Sequence, residues 1–236
     1  MKLLLLSNST NVNESFLSYY QSNIISFLGN NHLNILFIPY AAVTLSYDDY
    51  EKKVKEKFEQ FGYQLTSIHH YKSQIDAIES TEAIVVGGGN TFHLLKNLQD
   101  KFLLKPIINR IMAGIPYLGW SAGANLASPT IATTNDMPIV EIMGFKSLNL
   151  VPFQINPHYS NFVQPKHGGE TRDQRILEYL TANPEKIVLG LPEGCMLNLE
   201  NDRLHFIGQK SLKIFRVNKL PLEYDNDSDI SFLLNN

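Results

Sequence analysis

Short apolar runs alternate with longer amphipathic stretches along most of the chain. Residues 3–6 are all leucine, the pattern of a strand buried on both faces. A polar loop separates them from a helix predicted over about 14–28, where Leu17, Tyr20, Ile24 and Leu28 share one face. Further strands are predicted at 34–39, 64–69 and 83–86. A helix at about 48–61 lies between the first two of these, with Val54, Phe58 and Phe61 on one stripe. After the strand at 83–86 come Gly87-Gly88-Gly89-Asn90-Thr91 and a helix over 92–98. A helix over about 102–113 follows, with Pro106 near its start and Gly114 as its natural stop.

A strand over 116–120 runs into Gly119-Trp120-Ser121-Ala122-Gly123. The pattern then loosens until a strand at 148–156, which ends at Pro157-His158. Beyond the Gly168-Gly169 loop come a helix over 170–180, capped near Thr171, and a strand over 186–191. A hairpin is expected from 195–199 and 204–207, turning near Asn201-Asp202, and one more strand from 211–216. The tail over 225–229 is polar and expected to be loose. This alternation predicts an α/β fold with a mostly parallel sheet, helices on both faces and a C-terminal hairpin. No repeat or linker divides it, so residues 1–236 are expected to form one domain.

The charge balance, 20 basic against 23 acidic residues, gives nucleic-acid binding no support. The apolar run at 3–6 is too short for an export signal, and no segment reaches the length of a membrane span. Asn8, Asn13 and Asn226 head glycosylation sequons that carry no meaning without export. The single cysteine, Cys195, cannot form an intramolecular disulfide, which suits a reducing cytosol.

The stretch around Ser121 is a Gly-x-Ser-x-Gly elbow, in which a strand turns sharply into a helix and presents a serine. A serine nucleophile needs a base, and the base needs an orienting partner. Downstream, in loops at predicted strand ends, stand Asp136 and His158, giving the chain order Ser, Asp, His. Either could be an ordinary turn residue taken alone; their joint placement points to catalysis. The Ala122 N–H can supply one donor to an oxyanion, and Gly88 or Gly89 in the glycine loop a second. That loop lacks the last glycine of a dinucleotide fingerprint and is not followed by Gly-Lys-Ser/Thr, which argues against a phosphate cradle. The seven histidines, His32, His69, His70, His93, His158, His167 and His205, form no His-Glu-x-x-His motif and no Cys/His cluster. Residues 225–229 imitate the start of a calcium loop, but Ile230 stands at its glycine position. No metal and no cofactor are therefore expected.

The segments Gly119 to Asn125, Thr134 to Pro138 and Asn156-Pro157-His158 together resemble the peptidase E family of aspartyl dipeptidases. Gly87 to Thr91 and Gly169-Glu170-Thr171-Arg172 match further family segments, and the resemblance extends to Leu191-Pro192-Glu193-Gly194. It implies a cytoplasmic serine peptidase cleaving dipeptides with N-terminal aspartate, on a fold similar to class I glutamine amidotransferases. Ser121 then matches the nucleophile, His158 the base and Asp136 the third member. Family relatives that cut cyanophycin share the serine elbow, and a non-catalytic amidotransferase-like binding module is the contrasting reading. For the substrate, Arg172 is the candidate for the aspartyl carboxylate, because a guanidinium fork fits a carboxylate bidentately. Glu193 is the candidate for the substrate ammonium, or for support of His158. A monomer or homodimer acting on small Asp-X peptides, without nucleic acid or membrane, is the expected working form.

Overall fold

The computed structural model describes residues 1–29, 33–162 and 168–235. His32 and His167 lie outside the described residues. Strands β1 (Leu3–Leu6), β2 (Asn34–Ile38), β3 (Gln64–Ser67), β4 (Ala83–Val86) and β5 (Tyr117–Trp120) pair in parallel, in the spatial order β3-β2-β4-β5-β1. Beyond β1 the sheet continues antiparallel through β8 (Cys195–Glu200), β9 (Arg203–Gly208) and β12 (Ser228–Asp229), making eight strands. A second sheet of four strands runs β11 (Leu222–Tyr224), β10 (Leu212–Phe215), β7 (Val188–Pro192), β6 (Gln154–Tyr159). The large sheet is therefore mixed, and it does not take in every strand.

Alternation along the strands sends side chains to two cores. Leu4, Leu6, Ile35, Phe37 and Val85 pack with α1 (Gln21–Leu28) and α2 (Tyr47–Gln60). Leu3, Leu5, Leu36, Ile84 and Val86 face the opposite way. There they meet α3 (Gln74–Ser80), α4 (Thr91–Asp100), α5 (Leu104–Met112) and apolar side chains of β6, β7 and β10. The small sheet's other face is covered by α7 (Arg172–Ala182) through Ile176 and Leu180. Helices thus flank the large sheet on both faces, as the periodicity implies.

Several boundaries differ from expectation for identifiable reasons. Only the second half of the helix expected at 14–28 forms; before Gln21 the chain makes turns, with Leu17 at a φ of 55° and its N–H bonded to Ser9 O. The strand expected at 148–156 begins at Gln154, because Leu148 and Leu150 donate instead to Leu126 O and Ala127 O. It runs on through Pro157, which lacks a ladder donor but is tolerated because β6 is an edge strand. The tail is not loose throughout: Asp227 N–H bonds Phe206 O, and β12 closes the sheet edge. Helix α3 has no counterpart among the expected elements; its start is a Ser73 side chain that accepts from Asp76 N–H. Thr171 caps α7 with Gln174 in a reciprocal capping box. The hairpin turns at Asn201 and Asp202, both left-handed, as a type I′ turn requires.

Candidate active site

The parallel strands bring the chain after β1, β4 and β5 to one edge, where open α/β sheets place their ligands. Ser121 follows β5 at φ 51°, ψ −112°, a strained conformation for a residue with a side chain. The flanking glycines are required by contact: a Cβ on Gly119 would lie 2.5 Å from Gly123 O, and one on Gly123 2.4 Å from Val86 O. The following helix, α6 (Ala122–Asn125), is only one turn long. Its direction is set by Asn125, fully buried, whose Nδ2 donates to Ile155 O at 2.7 Å. The elbow is thereby tied to β6, the strand that carries His158.

His158 has a φ of 53° and lies where the β6–β7 register shifts. Its backbone N–H donates to Ser7 Oγ at 2.8 Å, and Ser7 Oγ donates to Leu191 O at 2.8 Å. Ser7 is completely buried and follows β1, so one hydroxyl joins the ends of three strands. Next to it, Asn8 Oδ1 accepts from Gly194 N–H at 2.9 Å and from the Tyr20 hydroxyl. These bonds set the turn that follows β7 and presents Glu193.

The result is a continuous line of polar atoms. Ser121 Oγ lies 2.8 Å from His158 Nε2, and His158 Nδ1 lies 2.7 Å from Glu193 Oε1. Both imidazole nitrogens are occupied, so His158 has none left for Asp136. The expectation that Asp136 orients the imidazole is corrected by this geometry. Asp136 Oδ2 accepts from Thr91 N–H at 2.7 Å, Thr91 Oγ1 at 2.6 Å and Thr134 Oγ1 at 3.0 Å. It sits at the start of α4, where unpaired N–H groups and the helix dipole favour a carboxylate.

The glycine loop approaches Ser121 closely: a Cβ on Gly88 would lie 3.0 Å from Ser121 Cβ. Gly89 has a φ of 139°, and a Cβ there would meet Ala41 O at 2.2 Å. The loop is held by Gly87 N–H on Ile38 O and Asn90 N–H on Ala41 O. Tyr50, from α2, donates to Gly88 O at 3.1 Å and accepts from Trp120 Nε1 at 3.0 Å. Burial pushes the Tyr50 phenol well above its ordinary value, so it remains a donor. Ser7, Asn8 and Tyr50 are not evident from sequence. The only available hint for the first two is a polar pair directly after an all-leucine strand.

Ser121 and His158 line a cleft of about 570 Å³ with Gly88, Gly89, Tyr50 and Lys53. A second cleft, about 450 Å³, lies beyond His158 and Glu193 and does not include Ser121. Arg172 lines neither. Its guanidinium donates to Asn135 Oδ1, and Asn135 Nδ2 donates to Pro157 O at 2.7 Å, next to His158. Partial burial and nearby Arg175 lower the Arg172 pKa. No described helix is long and apolar enough to cross a membrane.

A serine at a strained strand-to-helix elbow, hydrogen-bonded to an imidazole that is bonded in turn to a carboxylate, is the arrangement of a serine hydrolase on an α/β scaffold. Comparison with known proteins narrows this. The profile of peptidase family S51 matches residues 3–207. Peptidase E of Nostoc sp. strain PCC 7120 is 50% identical over 233 residues, 99% of this chain and 96% of that one. Peptidase E of Salmonella arizonae is 46% identical, over 92% and 94% of the two chains. A crystal structure of a peptidase from an acI-B1 Actinobacterium shares the fold at a TM-score of 0.73 and 17% identity, over 98% of this chain and 96% of that one. The chain belongs to peptidase family S51 and is a peptide-bond hydrolase.

Proposed function

We propose that this protein is a serine dipeptidase that releases aspartate from Asp-X dipeptides, with Ser121 as nucleophile, His158 as base and Glu193 as the carboxylate that orients it. The relay of 2.8 and 2.7 Å from Ser121 through His158 to Glu193 carries the reading. Its relatives named peptidase E, matched along nearly their whole length, support it.

His158 Nε2 takes the Ser121 proton as Oγ attacks the Asp-X carbonyl carbon. The tetrahedral oxyanion is met by Ala122 N–H and by an N–H of Gly88 or Gly89. His158 then returns the proton to the leaving amine, the C–N bond breaks and an aspartyl ester remains on Ser121. A water molecule, deprotonated by His158, attacks the ester carbonyl; the bond to Ser121 Oγ breaks as His158 Nε2 returns that proton to Oγ, and aspartate is freed. Glu193 accepts from Nδ1–H throughout, holding the tautomer and stabilising the imidazolium. Asp136 supports the site from beneath by fixing Thr91 and the start of α4.

Arg172 lines neither cleft but is held by Asn135, itself bonded to Pro157 O beside His158, and we assign it to the aspartyl side-chain carboxylate; Lys53 is the competing cation because it lines the cleft with Ser121. Rates on Asp-Leu, Asn-Leu, Glu-Leu and Asp-Leu-Gly test the assignment. A charged hydrogen bond is worth about 1.5–3 kcal/mol, so Asn-Leu should fall roughly 10- to 150-fold below Asp-Leu in kcat/KM. Arg172→Met should erase that preference, whereas Lys53→Met should keep it. Equal rates on Asp-Leu and Asn-Leu in the unaltered protein would sink the aspartyl specificity.

A further inference from the structure

A second concentration of titratable groups lies at the far edge of the large sheet, where α2 begins and β3 ends. His69 and His70 follow β3 in a single 3-10 turn (Ile68–His70), and Asp48 and Glu51 project from the first turns of α2. One donor atom from each of the four lies within 4.8 Å of every other. His69 Nε2 is 2.9 Å and His70 Nε2 3.8 Å from Asp48 Oδ1, and His70 Nε2 is 2.5 Å from Glu51 Oε2.

We propose that these four side chains bind one divalent transition cation, of the zinc or cobalt kind, through the two Nε2 atoms, Asp48 Oδ1 and Glu51 Oε2. Tetrahedral coordination at about 2.0–2.1 Å sets ligand atoms roughly 3.3 Å apart; the three histidine–carboxylate pairs at 2.5–3.8 Å bracket that spacing, and the remaining pairs, all within 4.8 Å, need only side-chain adjustment to reach it. Two imidazoles with two carboxylates suit zinc, cobalt or nickel, and do not suit calcium or magnesium, which prefer all-oxygen shells. The supporting contacts are those of a metal centre. Ser67 N–H donates to the other oxygen of Glu51 at 2.8 Å, and Ser67 Oγ lies 2.6 Å from His69 Nδ1. Ser67 is fully buried and thus a fixed anchor. When Nε2 binds a cation the ring proton resides on Nδ1, and the serine hydroxyl changes from donor to acceptor without moving. Charge argues the same way. Among the described residues, the ion pairs of Asp48 and Glu51 involve these histidines and no lysine or arginine. The Asp48 and Glu51 ligand oxygens lie within 4.8 Å of each other, so the two carboxylates repel, and a dication between them removes that repulsion. Such a cation ties α2 to the end of β3. No recognisable spacing reveals it, because the ligands come from two elements brought together by the β2–β3 pairing.

Equilibrium dialysis against zinc or cobalt, with metal counted per chain, tests the proposal on the complete protein. One cation per chain is expected, retained in His158→Gln and lost in a His69→Gln/His70→Gln double variant. Asp48→Asn, at an exposed position, should weaken binding at least tenfold and guards against a folding defect in the double variant. At about a hundredfold excess over Kd the melting temperature should rise by roughly 5–10 °C in the unaltered protein and not in the double variant. Absence of stoichiometric binding, binding unchanged in both cluster variants, or loss of the cation on His158→Gln would overturn it.

Discussion

Replacing Glu193 by Gln removes the charge opposite His158 while keeping the side chain's length. Facing charges about 4 Å apart interact by about 4 kcal/mol at an effective dielectric of 20, and by about 1 kcal/mol in bulk water. The Glu193 side chain is 46% exposed and that of His158 39%, so the true value lies between those limits. The amide also competes with Nδ1–H as a donor and disfavours the productive tautomer. A fully buried aspartate in this role in chymotrypsin-type enzymes is worth about 10⁴ in kcat. For the half-exposed Glu193 a loss on the order of 10²–10³ in kcat is expected, with KM little changed and the melting temperature nearly unaltered. Asp136→Asn should behave in the opposite manner. It removes the charge that receives three hydrogen bonds, which should destabilise the fold by about 1–3 kcal/mol and lower the melting temperature by roughly 2–10 °C. Its kcat below the melting transition should stay within about tenfold of the unaltered enzyme, less than the two to three decades assigned to Glu193. Steady-state kinetics on Asp-Leu with thermal melts of both variants decides. A loss at Asp136→Asn as large as at Glu193→Gln, with no change in melting, would refute the assignment of roles.

Other substitutions probe the supporting contacts. Tyr50→Phe frees the Gly88 carbonyl and strands the Trp120 N–H, so kcat should fall about tenfold, a fraction of the 10²–10³ of a whole oxyanion donor, as read from single-turnover rates. Ser7→Ala leaves the His158 N–H and the Leu191 carbonyl unpaired, which should lower stability by about 1–3 kcal/mol in urea unfolding and reduce kcat through displacement of the imidazole. Cys195 is fully buried and burial pushes its thiol up, so the thiolate is scarcer at pH 8 than for a free cysteine. Iodoacetamide should therefore leave the folded enzyme active and alkylate Cys195 only once urea unfolds it.

The parts of this fold that depend on local pattern are legible in the chain. The leucine run at β1, the stripe Val54–Phe58 of α2 and the Asn-Asp turn of the hairpin are each determined by neighbouring residues. The elbow is legible because an apolar run followed at once by Gly-x-Ser-x-Gly encodes a sharp strand-to-helix turn within a few residues. Long-range pairing is not legible. That β6, β7, β10 and β11 leave the main sheet for one of their own depends on contacts between distant segments, and no periodicity encodes it. The same limit applies to Asp136 and Glu193. Chain order suggests Ser, Asp, His, but the parallel pairing of β6 with β7 is what brings the turn after β7 to the imidazole. Asp136 is drawn instead to the start of α4 by Thr91.

The reactivity of Ser121 is the most direct measure of the whole account. Intact-mass and peptide analysis after exposure to a fluorophosphonate should find one adduct per chain, on Ser121, with labelling that slows by orders of magnitude in His158→Gln. An unlabelled Ser121 in an enzyme that still cleaves Asp-Leu, or labelling indifferent to His158, would contradict it.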